Sequence, residues 1–263
     1  MAVPTTLADV RLVAALTRSQ SESLASVLEG LTAEQWRLAC CGDWTVDQVT
    51  GHLGIVPSSV EQWYDAAQAG EEVEPVDLRD PEFQETQLDM IGEADPSDRI
   101  EGIRYAYAAA ADYLDALDPA THELPTYTPE GTLPLRLAGR INLSELVVHG
   151  VDVRRAAGLD DRVDAEVAQA VLPHTLAVLP AFVTGATGTE AVELRTGDGT
   201  WTLTPAAVEE GSSGAAATLR IDPGDLVLLT WGRISLAGAL ERGAVIEGDA
   251  AAVERLLGGL DPL

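Results

Sequence analysis

Apolar residues recur at helical spacing through most of the first 160 positions of the chain. The segment LADVRLVAALTRSQSESLASVLEGL follows this pattern and ends at Gly30. A second segment, TVDQVTGHLGIVPSSVEQWYDAAQAG, begins at Thr45, which can cap a helix with Gln48 in the capping-box position. Pro57 lies inside this second segment, and its missing N–H predicts a kink or a local break.

The same periodicity covers about 81–117 and about 134–157, with an interruption near Asp95-Pro96 in the first of these segments. Four long helices joined by polar connections are typical of an antiparallel bundle. The sequence therefore predicts a four-helix bundle over residues 1–160.

After about residue 185 the pattern changes to the alternation that is typical of strands. AVELRTGDGTWTLTPA predicts two strands around a Gly-Asp-Gly turn, AAATLRID a third strand and AVIEGD a fourth. Helices are predicted from Pro223 and in AAAVERLLGGL. These elements indicate a small α+β domain at 186–263, preceded by a connecting helix at 161–185.

Composition narrows the classes of function. The chain has 263 residues, of which 46% are hydrophobic, so it can bury a core without disulfides or a structural metal. Its formal charge of -27 is spread along the sequence, which argues against nucleic acid and anionic membranes as partners. All 16 basic residues are arginine, so a lysine Schiff base and a Walker lysine are excluded. With no signal-peptide pattern and no apolar run of membrane-spanning length, we expect a soluble cytoplasmic protein.

The two cysteines, Cys40 and Cys41, are adjacent and are predicted to lie in a loop before the second helix. Neighbouring cysteines rarely form a relaxed disulfide, which fits a reducing compartment. One of them could be a catalytic thiol, or both could be small loop residues. Helical rise places them about 15 Å from His52, which predicts that neither thiol reaches a site at that histidine.

Three residues have the chemistry of a metal site. Glu145 and His149 are four positions apart, hence ~40° apart around a helix and on one face of it. His52 lies on a different predicted helix, and facing helices of a bundle are a recurrent place for metal sites. Two histidines and one glutamate match a catalytic zinc site with an open fourth position. Asp152 follows on nearly the same face as His149.

This spacing also occurs by chance, and a lone histidine on a helix is often an ordinary core or surface residue. His122, in the predicted loop PATHELP, and His174, after Pro173, are expected to be structural. The sequence pattern alone therefore leaves open whether His52, Glu145 and His149 bind a metal.

Two motifs resemble those of a known family. WTVDQVTGHLG is similar to the first signature of the mycothiol-dependent maleylpyruvate isomerase family, a Trp-Thr/Ser-Val stretch that runs into a helix ending in His-Leu. ELVVHGVDVRRAAG resembles the second signature, Glu-Leu-x-x-His-x-x-Asp. This family belongs to the DinB-like metal-binding bundles and carries a small C-terminal domain like a sterol-carrier fold. The resemblance thus spans nearly the whole chain.

The resemblance implies His52, Glu145 and His149 as ligands of Zn²⁺ or another divalent ion. Asp152 matches the family's aspartate and is a candidate catalytic residue, with a supporting role beside the ligands or a structural role as the alternative. The resemblance also implies mycothiol as a thiol cosubstrate. Arg233 is our first candidate for a catalytic contact with an anionic substrate, and Arg154 and Arg220 are candidates for binding it. The expected species is a monomer or a weak homodimer.

The resemblance implies cis–trans isomerisation of a maleylpyruvate-like enoyl acid. In that reaction the thiolate adds to the activated double bond, the resulting single bond rotates, and elimination releases the trans isomer. One alternative is a mycothiol S-transferase, in which the thioether persists. Another is a non-catalytic zinc-binding or ligand-binding protein.

Overall fold

The structure is a computed structural model that describes residues 7–261, apart from 75, 78–79, 185, 187–189, 198 and 213. The side chains of residues 7 and 8 also lie outside the description. The chain divides into two compact units, with the boundary between Asp161 and Arg162.

The first unit is helical, and its helices are α1 (Leu7–Glu29), α2 (Val46–Ala69), α3 (Pro81–Ile91), α4 (Pro96–Ala116), α5 (Leu135–Ala138) and α6 (Ile141–Ala156). Within the described part of this unit the four long helices are α1, α2, α4 and α6, and both α1 and α2 pack against α4 and α6. Leu28, Leu53, Ile103 and Leu146 are among the buried side chains that fill the space between them. The predicted four-helix bundle is confirmed.

Two short hairpins that the sequence did not predict complete this unit: β1 (Ala39–Cys41) with β2 (Trp44–Thr45), and β3 (Pro125–Thr128) with β4 (Gly131–Pro134). The first hairpin turns at Gly42, whose φ of 54° lies in the left-handed region that glycine adopts without strain. Strand β1 contacts both α2 and α6. The segment predicted as a loop is therefore folded against the two helices that carry the candidate ligands.

Helix α2 begins after the predicted cap and continues past Pro57. The Thr45 side chain accepts from the Gln48 amide and the Gln48 side chain accepts from the Thr45 amide, so the predicted capping box is confirmed. Of the kink or local break predicted at Pro57, the break does not occur, because α2 runs without interruption from Val46 to Ala69. Pro57 is buried, and the packing of α2 compensates for one missing helical hydrogen bond.

Two glycines of α2 allow a matched test of how closely the bundle packs. A Cβ at Gly51 would lie 2.5 Å from Cγ2 of Ile91 and 2.9 Å from Nη1 of Arg99, whereas a Cβ at Gly54 would meet nothing within 4 Å. We expect Gly51→Ala to lower the free energy of unfolding by about 1–3 kcal/mol through overpacking. Gly54→Ala should raise it by up to about 1 kcal/mol through helix propensity. Urea unfolding of both variants tests this, and a stabilised Gly51→Ala would contradict the packing described.

The second unit combines one sheet with four helices among its described residues. Its elements are α7 (Ala165–Phe182), β5 (Val192–Thr196), β6 (Gly199–Thr204), β7 (Ala207–Glu210), β8 (Ala217–Arg220), α8 (Pro223–Thr230), α9 (Leu236–Glu241), β9 (Val245–Gly248) and α10 (Ala250–Leu257). The strand order is β7-β6-β5-β8-β9, with β5 and β8 parallel and the other neighbours antiparallel. The predicted α+β class is confirmed.

The sheet has five described strands instead of the predicted four. The additional strand is β7, at the edge of the sheet, where none of its residues is buried. Its short sequence AVEE lacks the alternation of a half-buried strand, which explains why the pattern did not reveal it. Asp198, in the predicted Gly-Asp-Gly turn, lies outside the described residues.

Helix α7 occupies the segment for which the sequence predicted a separate connecting helix. It belongs to the second unit, and Leu172, Leu176 and Leu179 lie in the core of that unit. By length and composition this helix could span a membrane, contrary to the expectation that no run is long enough. However, 61% of it is buried within the protein, which is typical of a core helix.

Candidate metal centre

His52, Glu145 and His149 lie together between α2 and α6. One oxygen, Oε2 of Glu145, is 3.3 Å from Nε2 of His52 and 3.3 Å from Nε2 of His149. One donor atom from each of the three residues lies within 4.8 Å of the other two. The side chains of His52, Glu145 and His149 are 16%, 22% and 12% exposed, so the cluster is mostly buried and partly exposed to solvent.

Helices α2 and α6 bring the three donor side chains together. Glu145 and His149 are one turn apart on α6 and face the same way, as their spacing predicts. His52 comes from α2, which packs against α6, and Leu53 and Leu146 beside the donors are buried in the bundle core. The imidazole rings of His52 and His149 meet edge to face, with centroids 5.2 Å apart. All three donor side chains therefore come from helices that pack in the bundle core.

The second nitrogen of each histidine has its own partner. Nδ1 of His149 is 3.0 Å from Oδ2 of Asp152, and Nδ1 of His52 is 3.1 Å from Oε1 of Gln87 on α3. With Nδ1 donating its N–H to an oxygen, Nε2 is the ring nitrogen that remains to bind a metal. Such partners fix the tautomer and the ring orientation of metal-binding histidines. The arrangement thus fits a divalent metal held by two Nε2 atoms and one carboxylate.

The pKa shifts of Glu145 and His149 also fit a metal site. Burial opposes ionisation of Glu145, but hydrogen bonds from His149 and His52 outweigh it and hold the pKa of Glu145 far below its usual range. Burial likewise opposes a charge on His149, but Asp152, Cys41 and Glu145 together raise its pKa well above the usual value. Metal binding at the cluster would therefore compete with protonation of His149.

The structure corrects the expected position of Cys41. Its thiol interacts with the His149 imidazole, and Cys41, His149 and Asp152 form a second group of donor atoms within 4.8 Å of one another. The estimate of about 15 Å assumed that the chain before Thr45 extends the axis of α2. Instead the β1–β2 hairpin folds back, so that Cys41 lies beside α6. Cys41 is not part of the group formed by His52, Glu145 and His149.

The contact between Asp152 and His149 leads to a testable expectation. Asp152→Asn keeps the shape of the side chain but removes the carboxylate that orients the imidazole, so metal affinity should fall about 10–100-fold. Asp161→Asn is a matched control, because Asp161 is bound to Arg155 and lies outside the donor groups. Competition with a chelating dye measures both affinities. Equal affinities of the two variants would contradict the role of Asp152.

The arginines proposed to contact substrate are distributed over both units. Arg154, on α6, donates from Nε to the Asp160 carbonyl at 3.1 Å. Arg233 follows α8 and donates from Nη1 to the Trp231 carbonyl at 2.8 Å. Arg220 is exposed at the end of β8, where it lines a cleft of about 550 Å³ in the second unit. The roles of all three remain predictions.

Sequence reasoning missed Gln87. It lies on a different helix from either histidine, and no spacing rule connects it to His52. The only signal in the sequence was that α3 follows α2 closely, which allows the two helices to pack. Only the tertiary structure shows that the amide oxygen of Gln87 lies beside the His52 ring.

Comparisons with known proteins agree with these features. The model of the mycothiol maleylpyruvate isomerase N-terminal domain matches residues 17–154, and that of the corresponding C-terminal domain matches residues 162–255. A crystal structure of the mycothiol-dependent maleylpyruvate isomerase superimposes with a TM-score of 0.63 at 16% identity, covering 94% of this chain and 98% of that chain. A histidine-to-alanine mutant of that isomerase gives a TM-score of 0.62, with the same identity and coverage.

A search of the curated proteins finds no match to this chain. The two solved structures, at 16% identity, show a shared fold across both units.

Proposed function

This chain belongs to the mycothiol maleylpyruvate isomerase family, and we propose that it is a metal-dependent enzyme that activates mycothiol for attack on a small electrophile. One observation carries the proposal: His52 and His149 both direct Nε2 at the Glu145 carboxylate, while Gln87 and Asp152 hold the opposite ring nitrogens. A site with two imidazoles and one carboxylate leaves a position for an exogenous ligand.

His52, Glu145 and His149 would hold Zn²⁺ or another divalent ion. When bound there, such an ion lowers the pKa of a thiol that it coordinates, so that the nucleophilic thiolate forms at neutral pH. Asp152 keeps His149 in the tautomer that presents Nε2, as Gln87 does for His52. The burial of the donors limits the access of bulk water to the reacting thiol.

The most specific form of the proposal is cis–trans isomerisation of a maleylpyruvate-like enoyl acid. The thiolate sulfur adds to the β-carbon of the double bond, and the electron pair moves onto the conjugated carbonyl. The former double bond then rotates as a single bond. Elimination of the thiolate restores the double bond in the trans geometry, so the thiol is regenerated. The names of the two structural relatives support this reaction over a transfer.

An anionic substrate needs a local cation in a protein whose formal charge is -27. We assign that role to Arg233, with Arg154 and Arg220 as further candidates. The proposal includes a cytoplasmic enzyme, monomeric or weakly dimeric, whose partners are mycothiol and the electrophile, with neither nucleic acid nor membrane.

Product analysis tests the reaction. With zinc and mycothiol present, we expect the cis-enoyl acid to convert to the trans isomer while the concentration of free thiol stays constant. A thioether that accumulates with a general electrophile such as chlorodinitrobenzene, without isomerisation of the enoyl acid, would indicate the S-transferase alternative. Tight metal binding without turnover of either compound would contradict an enzyme and favour a non-catalytic metal-binding protein.

A further inference from the structure

The β1–β2 hairpin brings two side chains to the histidines of the candidate metal centre. Cys41 and Trp44 are cross-strand partners in this hairpin. The Trp44 ring meets the His52 ring edge to face, with centroids 5.5 Å apart. Cys41 packs against the core of the bundle, and its Sγ lies within 4.8 Å of ligand atoms of His149 and Asp152. The hairpin thus places a thiol beside the second histidine.

Cys41, His149 and Asp152 form a donor set of their own. One ligand atom from each lies within 4.8 Å of the other two, and the set contains neither His52 nor Glu145. Nδ1 of His149 is the ring nitrogen next to Asp152, at 3.0 Å from Oδ2. The side chains of His149 and Asp152 are 12% and 5% exposed. A largely buried set of thiolate, imidazole and carboxylate matches the ligand types of metal sites, and its sulfur favours thiophilic ions.

The two donor sets share the imidazole of His149 but use opposite nitrogens of it. Nε2 lies 3.3 Å from Oε2 of Glu145 in the first set, and Nδ1 lies beside Asp152 in the second. A neutral imidazole has a lone pair on one nitrogen and a hydrogen on the other. When Nε2 binds an ion, Nδ1–H donates to Asp152, and when Nδ1 binds an ion, Nε2–H donates to Glu145. An ion at one set therefore excludes an ion from the other.

We propose that Cys41, His149 and Asp152 form a second metal position, for a thiophilic ion such as Cd²⁺ or Cu⁺, and that its occupation withdraws His149 from the first donor set. The Cys41 thiol releases its proton on binding, since the thiolate is the form that coordinates a metal. No cosubstrate takes part, so this inference goes beyond the proposed function and does not depend on it. Its consequence is that a soft ion empties the first position.

Titration of the metal-free protein with Cd²⁺, without mycothiol, tests the second position through the ultraviolet charge-transfer band of a cadmium thiolate. Wild type should show this band. Cys41→Ser should lose it and raise the Kd for Cd²⁺ at least about tenfold, because even a residue that only supports a ligand contributes that much. Cys40→Ser is the matched control and should titrate as wild type does, because Cys40 belongs to no described donor group. His52→Ala removes a ligand of the first set only and should keep the band.

Exchange of ions tests the exclusion. Adding Cd²⁺ to the zinc-loaded wild type should release an equal amount of Zn²⁺, measured with a chelating dye, as the thiolate band appears. Cys41→Ser should keep its zinc at Cd²⁺ concentrations that empty the wild type. If the band appears while zinc stays bound, the shared imidazole bridges two ions and the exclusion is overturned.

The remaining outcomes separate this proposal from the proposed function. Absence of the band from wild type, or its persistence in Cys41→Ser, would overturn the second position. Loss of the band in His52→Ala would also overturn it, since Cys41 would then complete the first donor set. A band that follows Cys41 in a protein without thiol-dependent turnover would support the second position while the proposed function fails.

Discussion

His149→Ala is expected to lose nearly all bound divalent metal and, with it, all measurable thiol-dependent turnover. The variant keeps only His52 and Glu145 of the three donors. Losing a residue that merely supports a ligand costs about 10–100-fold in metal affinity, so losing the ligand itself should cost at least 100-fold. Elemental analysis after dialysis measures the metal content.

The two remaining histidines supply the controls. His122 and His174 are buried, and neither belongs to a described group of donors with metal-ligand spacing. His122→Gln and His174→Gln should therefore hold as much metal as wild type, whatever they do to stability. Equal metal in His149→Ala and wild type would show that the ion binds elsewhere.

The second large effect concerns the source of the nucleophile. Without added mycothiol the wild-type protein should be nearly inert, because none of the three proposed ligands is sulfur and the reacting thiol must come from solution. The Cys40→Ser, Cys41→Ser double variant should retain near-normal turnover with mycothiol. Steady-state assays of both proteins, with and without thiol, measure the dependence.

The position of Cys41 beside His149 means that the experiment also needs the two single cysteine variants. Its thiol contacts the His149 imidazole, so it is the protein's own candidate for the nucleophile. Cys40 is its neighbour on β1 but belongs to no described donor group, which makes Cys40→Ser the matched control for Cys41→Ser. Turnover by wild type without thiol, lost in Cys41→Ser and kept in Cys40→Ser, would assign the chemistry to Cys41 and contradict a thiol cosubstrate.

The sequence predicted the parts of the fold that depend on local periodicity. The capping box of α2 was visible because Thr45 and Gln48 have the required spacing. The two hairpins of the first unit were missed, since strands of two to four residues are too short for a period-2 pattern to stand out. Missing the β1–β2 hairpin led directly to the wrong position of Cys41.

The candidate site, too, could be predicted from the sequence only where local spacing relates its residues. Glu145 and His149 share a helix, so their spacing predicted that they meet. His52 was linked to them by its place on another helix of the predicted bundle and by the resemblance of its motif. Gln87 comes from a separate element and has no spacing relation to the donors. Its proximity to the centre results from tertiary packing, which local patterns do not contain.

The most direct test of a metal-activated exogenous thiol is zinc X-ray absorption on the zinc-loaded Cys40→Ser, Cys41→Ser variant before and after mycothiol is added. Before addition we expect only nitrogen and oxygen neighbours, because the proposed ligands are His52, Glu145 and His149. After addition one sulfur neighbour should appear at about 2.3 Å, the usual zinc–thiolate distance. A spectrum that stays free of sulfur at saturating mycothiol would contradict the proposed function.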